Sequence, residues 1–365
     1  MMAAGSWFYL DVNTAVTTWP LRHRNQIMLY YNITLTTRIF MSFFKLFFNR
    51  KRLLPCLALL FTMQSVCAGT ELNVLVSIKP LHALVAAVMQ GAGEPALLPG
   101  ASQSPHHASL RPSDYRKIAA ADIVFWAGPA LEVFLPAIIE RSSDPARFIA
   151  LMQADGVQLL PLRSRHYHPA DDAHHHDHKP ASAKSADPHF WLSPGNAKHI
   201  VNAVAATLIQ HDGDNAERYR QNRDRVLQQI EDLHQSLRRQ LQNLNRPFIT
   251  YHDAYQYFEQ TYHLNRLASV TRNEETPPGI KQLRQIKKLI ETRQVHCLFY
   301  EAPRPPPVLA TLRKNTALKT VELDAIGLRL PAGDTLWFRL MNKLGDNFAQ
   351  CLKEPLKAHL NKGAK

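Results

Sequence analysis

The sequence has no long uninterrupted apolar run: across 365 residues the longest, Leu53 to Met63, is already broken at Pro55. A membrane-spanning helix needs roughly 20 consecutive apolar residues, so none is expected. An HExxH motif is absent as well, and with it the helix-borne zinc signature of many metallohydrolases. Cysteine is scarce, with four residues. At 45% hydrophobic the chain as a whole is not expected to be disordered, and its length predicts two domains or one large one. A formal net charge of +13 invites a nucleic-acid reading, so where that charge lies matters more than its size.

Much of it lies at the start. From Met41 a basic stretch (Lys45, Arg50, Lys51, Arg52) leads into the apolar stretch Leu53 to Met63 and then the small-residue site Val66-Cys67-Ala68. That order of basic, apolar and small residues reads as a secretory signal over 41–68, cut near Ala68. Cys67 as a lipid-anchored cysteine is the alternative, and Gln64-Ser65-Val66 before it fits a lipoprotein signal poorly. Residues 1–40 precede a signal that has its own methionine, and they are read as untranslated or removed with it. Residues 1–68 hold seven of the 43 basic and one of the 30 acidic residues, which leaves +7 for the rest. No nucleic-acid partner is expected on that balance, and the signal implies export.

Removing Cys56 and Cys67 with the signal leaves Cys297 and Cys351. In an oxidising compartment an even pair makes one disulfide the default, with two buried free thiols as the alternative.

Past Ala68, short β-type runs alternate with longer helical ones, which argues for α/β units with mainly parallel strands. Strands are predicted at 72–78, 122–128 and 148–151 in a first half, and at 247–251, 267–270, 297–300 and 318–323 in a second. Helices are predicted at 81–89, 113–120, 131–141, 280–292, 308–315 and 335–352. Between the halves, 215–244 lacks Gly and Pro and spaces Val226, Ile230, Leu233, Leu237 and Leu241 by three or four residues, as one long amphipathic helix would. This gives a first lobe at 69–214, a linker helix at 215–245 and a second lobe at 246–365. One segment, 165–188, breaks the alternation. Six of the 13 residues from His166 to His178 are histidine (His166, His168, His174, His175, His176, His178) and three are aspartate. Such a stretch buries too little apolar surface to order itself, and its composition points to weak metal recruitment.

Other histidines stand singly where an α/β scaffold places ligands. His252 follows the strand PFITY, at a strand's carboxyl end. His189 sits in the aromatic-flanked DPHFWLSP before a helix, and His106 precedes the loop-to-helix junction SLRPSD, where Ser113 or Asp114 offers a cap. Each alone is more often structural than a ligand; three of them, in loops of both lobes, suggest a cleft site.

Taken together, Ser77-Ile78-Lys79-Pro80-Leu81, Leu98-Pro99-Gly100-Ala101-Ser102 with His106 and Ser109-Leu110-Arg111-Pro112-Ser113-Asp114, His189-Phe190-Trp191-Leu192-Ser193-Pro194, His252-Asp253-Ala254-Tyr255-Gln256-Tyr257-Phe258 and Leu323-Asp324 resemble the solute-binding proteins of metal-specific ABC transporters, and among these the periplasmic zinc-uptake type. The resemblance covers about residues 72–354. It implies two α/β lobes joined by one long helix, Zn²⁺ held between them by His106, His189 and His252, a His-rich loop in the first lobe and a disulfide in the second. It also implies delivery to an inner-membrane ABC permease with its ATPase, by a protein expected to be a monomer. Pro105 stands where some relatives carry a glutamate, His107 where many carry an acid, and the stretch 300–307 is unusually rich in proline.

Three neutral imidazoles with one further position suit a tetrahedral borderline ion, whereas manganese prefers more oxygen ligands. In the family the resemblance points to, manganese members carry glutamate at the position of His252. Asp324 is expected as fourth ligand or outer partner, with a cap of the DAIG turn as the alternative. Other readings are a manganese or iron carrier of the same family, a periplasmic zinc reservoir or chaperone that uses the His-rich loop, and a zinc hydrolase with Glu301 as base. The last is disfavoured, and the chain is expected not to be an enzyme.

Overall fold

The structure, a computed structural model, describes residues 72–98, 110–163, 185–271, 277–301 and 305–353. The expected extension and signal (1–68), His106 and the histidines of 166–178 lie outside them.

Two four-stranded parallel sheets form the frame. In the first lobe β1 (Val74–Val76), β2 (Ala96–Leu97), β3 (Ile123–Trp126) and β4 (Phe148–Ala150) run in the order β2-β1-β3-β4. The second holds β5 (Phe248–His252), β6 (Arg266–Thr271), β7 (Cys297–Glu301) and β8 (Lys319–Leu323) in the order β6-β5-β7-β8. Every strand pairing within these two sheets is parallel, as the alternation of strand and helix predicts.

The helices are α1 (Lys79–Met89), α2 (Pro112–Ala120), α3 (Leu135–Ile139), α4 (Pro194–His211), α5 (Ala216–Leu241), α6 (Gln256–Thr261), α7 (Ile280–Thr292), α8 (Val308–Arg313) and α9 (Leu336–Lys353). Pro112 and Pro194 open their helices, where a missing N–H costs nothing. Of the two cap candidates for α2, Asp114 takes the role from within the first turn, accepting from the Arg111 N–H at 2.8 Å. Helix α3 is shorter than the predicted 131–141. Pro136 has no N–H to give to the carbonyl of residue 132, so the helix cannot run through that turn from Leu131. The two-residue β2 was not expected, being too short to show a pattern.

Side-chain alternation assigns each sheet face. Val74, Val76, Phe125, Phe248, Cys297 and Phe299 point into one large core, whereas Leu75, Val124 and Trp126 face a second cluster and Ile249, Tyr251 and Leu298 a third. The large core is shared by both lobes. Helices α1, α4, α5 and α9 pack on one another within it. The buried seam of α5 is Tyr219 with the five predicted residues, and its 26 residues span about 39 Å. It stops short of the predicted Leu244 because Asn243 adopts a left-handed backbone with φ 66°, a helix-ending conformation that Asn tolerates. Where α9 crosses α5, a Cβ on Gly345 would lie 2.4 Å from Leu237 Cδ2, so any side chain there would displace the buried Leu237. A disulfide joins Cys297, at the start of β7, to Cys351 in the last turn of α9, so the expected pairing is present.

Candidate metal centre

His252 is the last residue of β5, an interior strand, and β7 lies beside it in the register Thr250 to Phe299. Two residues further on, that register sets His252 beside Glu301 on the same sheet face. Both are buried, and His252 Nδ1 lies 2.7 Å from Glu301 Oε2. The other oxygen, Oε1, accepts from the Tyr255 hydroxyl at 3.1 Å. Glu301 is therefore neither a cap nor a solvated acid, as an acid near a strand end commonly is; it orients His252.

His189 follows the same rule from the other lobe. It precedes a single 3₁₀ turn, Phe190–Leu192, whose three side chains are fully buried. Asn196 fixes that turn from the first turn of α4, donating to the Phe190 carbonyl at 3.1 Å and to the Gln158 carbonyl at 3.0 Å. His189 Nδ1 lies 2.8 Å from Asp187 Oδ1, and the same oxygen accepts the His189 backbone N–H at 3.0 Å.

The two rings meet across the lobes, with centroids 5.2 Å apart and planes at 72°. In each, Nδ1–H directed at a carboxylate leaves Nε2 as the nitrogen with the lone pair, which is the arrangement of metal-binding histidine. Sequence reasoning singled out both histidines but assigned no role to Asp187; its position two residues before His189 was the available signal. Glu301 was signalled only by the strand end it occupies.

Asp324 follows β8 and is buried. Its Oδ1 accepts from the Ile326 N–H at 3.2 Å and its Oδ2 from the Arg329 N–H at 3.3 Å, which is the turn-capping role. To ligate a metal, one oxygen would have to share or release its bond. Among the described residues no group of three or more candidate ligands is assembled, and the third expected histidine, His106, lies outside them.

Around the pair the lobes are tied together. Trp191 Nε1 donates to the Ala325 carbonyl at 2.8 Å, Trp337 Nε1 to the Trp191 carbonyl at 2.9 Å, and Lys79 Nζ to the carbonyls of Leu328 and Leu330 at 3.0 and 3.2 Å. Beside His252, burial pushes the Asp253 carboxyl up, but Arg163 and Arg266 outweigh that and hold it below the ordinary carboxylate range.

Two parallel-sheet α/β lobes with a buried, carboxylate-backed histidine pair where they meet have the architecture of a two-lobed binding protein. The family model described as "Zinc-uptake complex component A periplasmic" matches residues 74–351. The chain belongs to this family. A high-affinity zinc uptake system protein ZnuA of Brucella suis is 33% identical over 320 residues, covering 80% of this chain and 94% of that protein. The corresponding protein of Haemophilus ducreyi is 31% identical, covering 80% and 97%. Among solved structures, a ZnuA crystal structure superposes with a TM-score of 0.63 at 20% identity, covering 77% of this chain and 99% of that one. The solute-binding protein FpvC of Pseudomonas aeruginosa, in complex with Mn²⁺, reaches 0.64 at 21% identity, covering 78% and 99%. Likeness at that identity speaks for the fold and leaves the choice of metal to the site.

Proposed function

We propose that the chain is a periplasmic carrier that captures one Zn²⁺ between its lobes on His106, His189 and His252 and hands it to an inner-membrane ABC permease with its ATPase. The observation that carries this reading is the His189 and His252 pair, with Nδ1 of each ring on a buried carboxylate, the backing that metal-binding histidines characteristically have. Relatives named for high-affinity zinc uptake, matched over nearly their whole length, support zinc as the cargo. Nitrogen-rich ligation favours zinc over manganese. In this reading Asp324, which caps the turn after β8, serves as fourth ligand or outer partner, and the histidines of 166–178 recruit metal weakly. Cleavage near Ala68 delivers a monomeric two-lobed protein with lobes at 69–214 and 246–365 linked through the helix Ala216–Leu241, and without an affinity for nucleic acid.

The carrier turns nothing over. Glu301, the residue available as a base beside the pair, already has one oxygen on His252 and the other on Tyr255, which leaves it poorly placed to activate a metal-bound water. Growth of a deletion strain in chelated medium tests the transport role. Rescue by added zinc is expected; rescue by manganese alone would transfer the reading to a manganese carrier of the same family.

A further inference from the structure

Two stretches flank residues 164–184, and they are joined to each other. Pro161 and Ala186 form an antiparallel bridge, and the Asp187 N–H donates to the Leu160 carbonyl at 2.8 Å. Both then dock on the second lobe, at α6 and the residues just before it. The Leu160 N–H donates to the Tyr257 hydroxyl at 3.0 Å, and that hydroxyl donates to the Asp187 carbonyl at 2.8 Å. With its amide oriented to satisfy both of its ends, Gln256 donates to Asp187 Oδ2 at 3.0 Å and to the Pro161 carbonyl at 3.2 Å. So the carboxylate that orients His189 is held by the helix that follows His252.

The strongest tie is ionic. Arg163 Nη2 donates to Glu259 Oε2 at 2.7 Å and lies 3.1 Å from Oδ1 of Asp253, the residue after His252. Arg266 Nε completes a four-charge cluster, 3.2 Å from Glu259 Oε2 and 3.9 Å from Asp253 Oδ1. All four side chains are largely buried, yet Arg163 Nε, Arg266 Nε, Asp253 Oδ1 and Glu259 Oε1 make no hydrogen bond among the described residues. A buried ionic cluster with incomplete hydrogen bonding is a poor source of stability, because desolvation offsets the attraction. What such a cluster does well is fix one arrangement of the parts it joins. Here those parts are the stretch leading to His189 and the segment carrying His252, which belong to different lobes.

We infer that Arg163 is a positioning residue for metal capture: by locking the 160–163 stretch to Asp253 and Glu259 it holds His189 and His252 next to each other, and so sets zinc affinity without touching the metal. This rests on the carrier reading above. The guanidinium is suited to the task because it stays charged and is more weakly hydrated than a lysine ammonium, so it is the better cation for a buried ion pair.

The test compares the secreted protein with its Arg163→Met and Arg163→Lys variants by three measurements: Zn²⁺ affinity in competition with a chelator, the visible absorption spectrum of bound Co²⁺, and thermal unfolding of the metal-free protein. Arg163→Met should weaken zinc binding by about 10-fold, in the range seen when groups supporting metal ligands are lost, and should alter the Co²⁺ spectrum. Arg163→Lys should fall between, and it serves alone if the methionine variant does not fold. A lowered melting temperature with affinity within twofold and an unchanged Co²⁺ spectrum would show a merely structural role and overturn the inference. If the unmodified protein has no tight zinc site, the carrier reading fails and this inference with it; tight wild-type binding with unaffected variants defeats the inference alone.

Discussion

At the scale of single residues, the site depends on carboxylates that never need to touch a metal. Glu301 fixes both the tautomer and the orientation of His252, so Glu301→Ala is expected to weaken zinc binding about 10- to 100-fold although every proposed ligand remains. Chelator competition on the purified variant measures this, and full affinity would show that His252 is oriented by something else. A second buried acid has a different consequence. Glu132 accepts from Ser77 Oγ and from the N–H groups of Ala127 and Gly128, contacts that favour its charge, but burial dominates and pushes its carboxyl up. The folded chain thus keeps this proton to a higher pH than the unfolded chain, whose glutamates titrate near about 4.3. Its contribution is intact below that value and is lost as the pH rises through the raised folded one. Urea unfolding across that window should show Glu132→Gln gaining stability relative to the unmodified protein as pH rises; a constant difference would mean that Glu132 does not titrate there.

Elements carry the next level of the argument, and the disulfide is the clearest case. It ties β7, whose far end bears Glu301, to α9, which packs on α5 and α1. With a sequence separation of 54 residues, the chain-entropy model assigns the link about 4 kcal/mol. Replacing Cys297 and Cys351 together by serine should lower the free energy of unfolding by about that amount in urea titrations, and a change below about 1 kcal/mol would make the pair a minor contributor. The strands were legible because buried parallel strands read as short apolar runs, as at Ile123–Trp126 and Cys297–Glu301. Helix α5 was legible from its five-residue seam. What escaped was set by contacts distant in sequence or by single backbone conformations. The end of α5 turns on one φ angle at Asn243, and the brevity of α3 on a proline inside an otherwise helical run. At the site, the histidines stand out because the positions before α4 and after β5 are conspicuous. Their partners do not: Glu301 meets His252 across 49 residues of chain, through a strand register that no local pattern reveals.

For the whole molecule, the shared core and the ties at Lys79, Trp191, Trp337 and Arg163 join two lobes into one packed body, with α5 as part of that core and more than a tether. A carrier built this way keeps its histidine pair assembled by packing, so affinity should follow ligand count and geometry. Competitive chelator titration of the secreted protein and its His106→Ala, His189→Ala and His252→Ala variants tests this most directly. The account predicts one tight Zn²⁺ per chain in the unmodified protein and a loss of orders of magnitude in affinity in each variant; unchanged affinity in His252→Ala would contradict it.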